Sequence, residues 1–80
     1  MKAKIYVTLK NGVLDPQGKA IESALAGLGF DAASNVRQGK VIELDINESD
    51  AAKAEAALED MCKRLLANPV MENYRIEIAS

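Results

Sequence analysis

The stretch Leu9-Lys10-Asn11-Gly12-Val13-Leu14-Asp15-Pro16-Gln17-Gly18 constrains this chain more than any other, because it turns a strand into a helix with almost no slack. Ile5, Val7 and Leu9 alternate with Lys4, Tyr6, Thr8 and Lys10, the period of two that gives a strand one apolar face. Asn11-Gly12 then supplies a turn, since both residues tolerate positive φ. Asp15-Pro16 starts a helix: the carboxylate can accept orphan backbone N–H bonds, and proline suits the first helical position. Val13 and Leu14 fall between these signals, where a surface connection is ordinarily polar. Such residues either tuck under the domain or face another chain. No acid, base or nucleophile pair accompanies them, so the connector is suited to positioning and docking rather than to chemistry.

The helix opened at Asp15 is expected to reach about Leu28. Ile21, Ala24, Leu25 and Leu28 recur at three- and four-residue steps, and Gly29 is the stop. Residues Ala32 to Arg37 are expected to form a weak second strand, followed by a turn at Gln38-Gly39. Val41 to Ile46 alternates clearly, with Ile42, Leu44 and Ile46 on one face. Asn47 to Asp50 offers several capping side chains without deciding which one caps. The next helix places Ala51, Ala54, Leu58, Met61 and Leu65 on one stripe. Glu59–Lys63 and Asp60–Arg64 stand in the favourable i,i+4 order. Asn68-Pro69 ends it, because the residue before proline avoids the helical region. The last strand, Glu72 to Ile78, puts Tyr74, Ile76 and Ile78 on one face.

The resulting order, βαββαβ, predicts a single α+β domain over residues 1–80. It is expected to be a ferredoxin-like two-layer sandwich, a four-stranded antiparallel sheet with two helices on one face. The opposite face would carry Lys4, Tyr6, Thr8, Lys10, Val41, Glu43, Asn73 and Arg75, a mixed surface open to pairing between copies.

Eighty residues are short for a domain, where ~100–150 is usual. A core this small is marginal, and such domains usually add disulfides, metals or partner chains. Cys62 is the one cysteine and there is no histidine, so neither a disulfide within the chain nor a zinc cluster is available. Association with other chains remains. Ten Lys and Arg against twelve Asp and Glu give a net charge of -2, which argues against nucleic acid. No apolar run has the length of a signal peptide or of the ~20-residue membrane span, and one unpaired thiol suits a reducing cytoplasm.

Individual candidates for chemistry have simpler readings. Cys62 lacks an activating histidine or helix N-terminus and reads as a buried structural thiol. Glu43 and Asp45 share a strand face but have no apolar pocket to separate their pKa values. Asn11-Gly12 with Gly18 lacks the spacing of a phosphate-binding loop. Arg37 and Lys40, flanking Gln38-Gly39, could hold an anion or serve solubility. Val70 and Met71, after Pro69, are hard to bury in so small a domain and read equally as an intersubunit contact or a local cap.

Taken together, Leu9–Gly18, Val36-Arg37-Gln38-Gly39-Lys40 and Leu65-Leu66-Ala67-Asn68-Pro69-Val70 with Tyr74 resemble the PurS family over essentially the whole chain. That family is the small subunit of phosphoribosylformylglycinamidine synthase. The resemblance implies a function outside this polypeptide. A large synthetase subunit (PurL-type) performs ATP-dependent amidation of formylglycinamide ribonucleotide, and a glutaminase subunit (PurQ-type) supplies ammonia from glutamine. The small subunit would join the two as a homodimer or homotetramer, with no catalytic residue and no cofactor of its own. ATP and Mg would belong to the synthetase. On this reading Asn11, Gly12, Val13, Leu14, Asp15, Pro16 and Gln17 dock against a larger subunit, with Arg37 and Lys40 at a polar rim. Asn68, Pro69, Val70 and Tyr74 would serve self-association.

The same architecture also serves acylphosphatases, metallochaperones and amino-acid-sensing ACT-like modules, so fold alone does not decide. The first connector has no arginine and no cysteine pair, against the first two. A dimeric amino-acid sensor is the competing reading, and saturable binding of an amino acid by the isolated chain would mark it.

Overall fold

The alternation in the first residues becomes β1 (Lys2–Leu9), the centre of a three-stranded antiparallel sheet. β2 (Gly39–Asp45) lies on one side of it and β3 (Glu72–Ala79) on the other; the computed structural model describes residues 1–79. The register sets Ile5 between Ile42 and Ile76, and Ala3 between Leu44 and Ile78. One face is therefore apolar across all three strands. α2 (Ala51–Met61) lies against it, burying Leu58 with Ile5, Val7 and the Cys62 thiol. Each such aliphatic side chain contributes roughly 1.5–3 kcal/mol by leaving water.

Asp50 is the cap that starts α2: its Oδ1 accepts the Ala52 N–H at 2.9 Å and the Lys53 N–H at 3.5 Å. The helix then widens into one π turn, Cys62–Leu66, with the Ala67 N–H donating to the Cys62 carbonyl at 3.0 Å. An inserted π turn rotates everything after it. Leu66 thereby packs against the core, and Leu65, expected on the buried stripe, is 82% exposed. Asp60 and Arg64 pair at 3.1 Å as expected, on the surface, where such pairs are worth little. Glu59 accepts a hydrogen bond from the Tyr74 hydroxyl of β3.

The opposite face of the sheet is mixed, as expected: charged side chains surround Tyr6 and the exposed Val41. Lys4 pairs with Glu43, Lys2 with Asp45, and the Arg75 guanidinium sits 4.1 Å above the Tyr6 ring.

Two expectations fail together. The four-stranded ferredoxin-like sheet does not form among the described residues, and only one helix covers the sheet. Residues 32–37 are irregular: Asn35 takes φ 55°, which interrupts an extended run. The Val36 and Gln38 N–H groups go to the side chains of Glu22 and Asp15 rather than to a ladder. Gln38-Gly39 accordingly closes no hairpin, and Gly39 is the first residue of β2. α1 (Pro16–Gly27) begins and ends where expected, closed by Gly29 N–H to the Ala26 carbonyl and Phe30 N–H to the Leu25 carbonyl. It contributes no side chain to the core and has no extended packing against a strand. Leu28 is 73% and Phe30 59% exposed. The molecule is correspondingly long, 48 × 26 × 14 Å, with a radius of gyration of 15.9 Å; about 12 Å is usual at this length.

Candidate functional site

The first connector is pinned at both ends. Val13 N–H donates to the Lys10 carbonyl at 3.1 Å, closing a turn in which Gly12 takes φ 87°. That conformation is costly for a side-chain-bearing residue. Val13 is half-buried, while Leu14 stands out, 71% exposed. Asp15 is buried, and its carboxylate bridges two segments. Oδ1 accepts the Gly18 N–H at 2.9 Å and Oδ2 the Gln38 N–H at 2.7 Å. Those two donors, Gln38 first, hold its pKa below the ordinary 3.8 despite burial, with the Arg37 charge helping. Gly18 must lack a side chain, because a Cβ there would lie 2.4 Å from the Val36 carbonyl oxygen. Pro16 and Gln17 remain exposed on the first turn of α1.

Arg37 joins this group: its Nη2 donates to the Lys10 carbonyl at 3.2 Å. Asn11, Gly12, Leu14, Asp15 and Arg37 line a shallow depression of about 300 Å³ that also takes in Lys19 and Glu22. Asp15, Gln17 and Lys40 line a second of about 370 Å³, against Leu9 and Glu72. The structure thus gathers the residues named for docking at one end of the sheet, where β1 leaves and α1 and β2 begin.

The second connector meets the first there. Lys10 N–H donates to the Met71 carbonyl at 2.9 Å. Asn68 organises its own loop: Oδ1 accepts the Val70 N–H at 3.0 Å, and its carbonyl accepts from Met71 and Glu72. Asn68, Pro69 and Val70 are exposed, Val70 by 79%. Tyr74 differs. It faces α2, half-buried, with its hydroxyl spent on Glu59, and that bond raises the phenol to about 12.

Cys62 is buried with its thiol pKa pushed up by desolvation and by Glu59, and no group of three or more potential metal ligands converges among the described residues. No helix is long and apolar enough to cross a membrane. Two features escaped sequence reasoning. One is the Asp15–Gln38 bridge, whose partners are far apart in the chain. The other is the open apolar stripe of α1, whose 3.6 period was visible but whose exposure was not.

Residues 2–80 match the PurS family, described as phosphoribosylformylglycinamidine (FGAM) synthase. The chain is 52% identical over 77 residues to the PurS subunit of phosphoribosylformylglycinamidine synthase from Synechocystis, covering 96% of this chain and 77% of that one. Its structure is similar to Bacillus subtilis PurS in the C2 crystal form, with TM-score 0.88, 44% identity, and coverage of 99% of this chain and 98% of that chain. It is also similar to a chain of PurLQS from Thermotoga maritima, with TM-score 0.87, 33% identity, and coverage of 95% and 93%. A chain matched from end to end at these identities belongs to the PurS family, the PurS subunit of FGAM synthase.

Proposed function

We propose that this chain is a non-catalytic assembly subunit of FGAM synthase. It bridges the glutaminase and the ATP-dependent synthetase so that glutamine-derived ammonia reaches formylglycinamide ribonucleotide. Ammonia released into water is diluted and protonated, so the two active sites have to be held in fixed relation. A small subunit can also bias a larger one between states, through differential contacts. ATP and Mg belong to the synthetase on this reading, and the complex works in the cytoplasm. The amino-acid-sensing alternative is not favoured, given the family.

One observation carries the reading: Leu14 is held out in solvent by a connector rigidly anchored at Lys10 and Asp15. An apolar side chain displayed on a pre-ordered loop loses little entropy on docking. Asn11, Gly12, Val13, Leu14, Asp15, Pro16 and Gln17 form the docking surface, with Arg37 and Lys40 at its rim. Self-association, to a homodimer or homotetramer, is assigned to Asn68, Pro69 and Val70, with Tyr74 behind them. Leu14→Glu tests the docking role. The variant is expected to keep its circular dichroism and to lose co-purification with the synthetase and glutaminase. An unaltered complex from the folded variant would reject it.

A further inference from the structure

Charge is sorted unevenly around the Leu14 loop. The acids lining its two depressions are Asp15, Glu22 and Glu72, and each is turned onto backbone. Asp15 accepts from Gly18 and Gln38, Glu22 from the Val36 N–H at 3.1 Å, and Glu72 from the Asn68 N–H at 2.7 Å. The cations face the other way. Lys19, Arg37 and Lys40 are exposed, and none pairs with a carboxylate among the described residues. On the outer face of the sheet the basic side chains are matched, Lys2 with Asp45, Lys4 with Glu43 and Arg75 with Glu77. Lys19 and Arg37 share the depression beside Leu14. Lys19 also stands near the start of α1, whose first turn holds no acid. A cation there opposes the helix dipole and is unfavourable to the isolated chain.

Arg37 is the best prepared of the three. Its Nη2 donates to the Lys10 carbonyl at 3.2 Å, the same oxygen that accepts the Val13 N–H and closes the turn. The guanidinium and Leu14 therefore hang from one pinned segment. Its Nε and Nη1 hydrogens have no acceptor among the described residues, and a guanidinium held by one nitrogen still offers a fork to a carboxylate.

Given the docking role proposed for the loop, on which this rests, we infer that the loop seats on an acidic face of a larger subunit. An apolar notch in that face takes Leu14, and carboxylates beside the notch pair with Arg37 and Lys19. Charge complementarity decides the chemistry: each acid lining the depressions is already engaged, so the free donors need acceptors from outside the chain. A neutral or basic face would leave both cations desolvated and unpaired, which is costly. Nucleic acid also presents anions, but its backbone offers no apolar notch for Leu14, and this chain carries a net charge of -2. Lys40, in the second depression across Asp15, adds long-range attraction without entering the same contact.

The test follows association of the full chain with immobilised synthetase and glutaminase at several salt concentrations. Association of the wild type is expected to slow as salt rises. Lys19→Glu should slow it roughly tenfold at low salt, with circular dichroism unchanged. Arg37→Lys keeps the charge and loses the fork, so it should leave the association rate near that of the wild type and speed dissociation several-fold. The Lys19 side chain bonds to nothing among the described residues, so its variant remains decisive even where the Arg37 variant loosens the turn. Salt-independent association, or a Lys19→Glu chain that binds as fast as the wild type, would overturn the inference. If Leu14→Glu still abolishes the complex in that case, the docking role itself survives. An intact complex from folded Leu14→Glu removes the docking role and the acidic face together. Saturable uptake of inorganic phosphate by the isolated wild type, lost in Lys19→Glu, would assign these cations to a small anion and equally overturn the inference.

Discussion

Asp15 Oδ2 and the Gln38 amide meet at 2.7 Å across 23 residues of chain, so one carboxylate both caps α1 and fixes where β2 begins. The bridge ties the first connector and the first turn of α1 to the segment that leads into β2. Its removal should be felt well beyond the helix.

Asp15→Ala is expected to lower the melting temperature by more than Asp50→Ala does. Asp50 caps α2 at an exposed position, while Asp15 satisfies donors in two segments from a buried one. Acid should act in the same direction. The folded-state pKa of Asp15 lies below 3.8, so its stabilisation is present above that value and is lost as pH falls through the lowered one. Thermal melts taken from pH 7 down to about pH 2 are expected to show an acid-induced loss below pH 3.8 that is smaller in Asp15→Asn.

Two glycines in α1 should respond to alanine with opposite signs. Gly27 has no neighbour within 4 Å of an added Cβ, so Gly27→Ala should stabilise by about 0.5–1 kcal/mol through helix propensity. Gly18→Ala meets the Val36 carbonyl oxygen at 2.4 Å and should destabilise, since a backbone atom cannot step aside. Denaturant midpoints read both.

Removing the side chain that α2 plants deepest, Leu58→Ala, should cost about 2–5 kcal/mol by the same readout. The neighbouring Cys62 thiol, buried and with a raised pKa, should resist a thiol-specific reagent in the native protein and react fully in guanidinium. Prompt stoichiometric labelling of the native chain would contradict this.

Tyr74 should ionise near pH 12. Its bond to Glu59 favours the neutral phenol, so that stabilisation is present below the ordinary 10.0 and lost as pH rises through the raised value. The difference in absorbance titration between the wild type and Tyr74→Phe isolates this transition.

Local chemistry was legible in the residues. The strands at Ile5–Leu9 and Val41–Ile46, the Asp15-Pro16 start and the Gly29 stop all follow from side chains acting on their immediate neighbours. Ala32–Arg37 departs from the expected strand because Asn35 takes positive φ, which asparagine tolerates without requiring, and because distant carboxylates take the amides of Val36 and Gln38. Leu65 leaves the buried stripe, while Leu66 packs against the core, because a π turn shifts the period by one residue without a compositional mark. For the candidate site, the two apolar connectors could be read directly. Their meeting at Lys10 and Met71 depends on strand register and could not. The stripe of α1 was visible, but periodicity is silent on whether its own sheet covers it.

The placement of β1 between its two neighbours has a kinetic consequence. Ile5 waits for Ile42 and then for Ile76, so the earliest segment made is the last to be enclosed on both sides. Chains dominated by such distant pairings fold slowly. During that delay the Ala3-Ile5-Val7 row stays open to solvent and to any strand-like neighbour. Pairing of that open row with a strand of another chain is the misfolding route this topology leaves available.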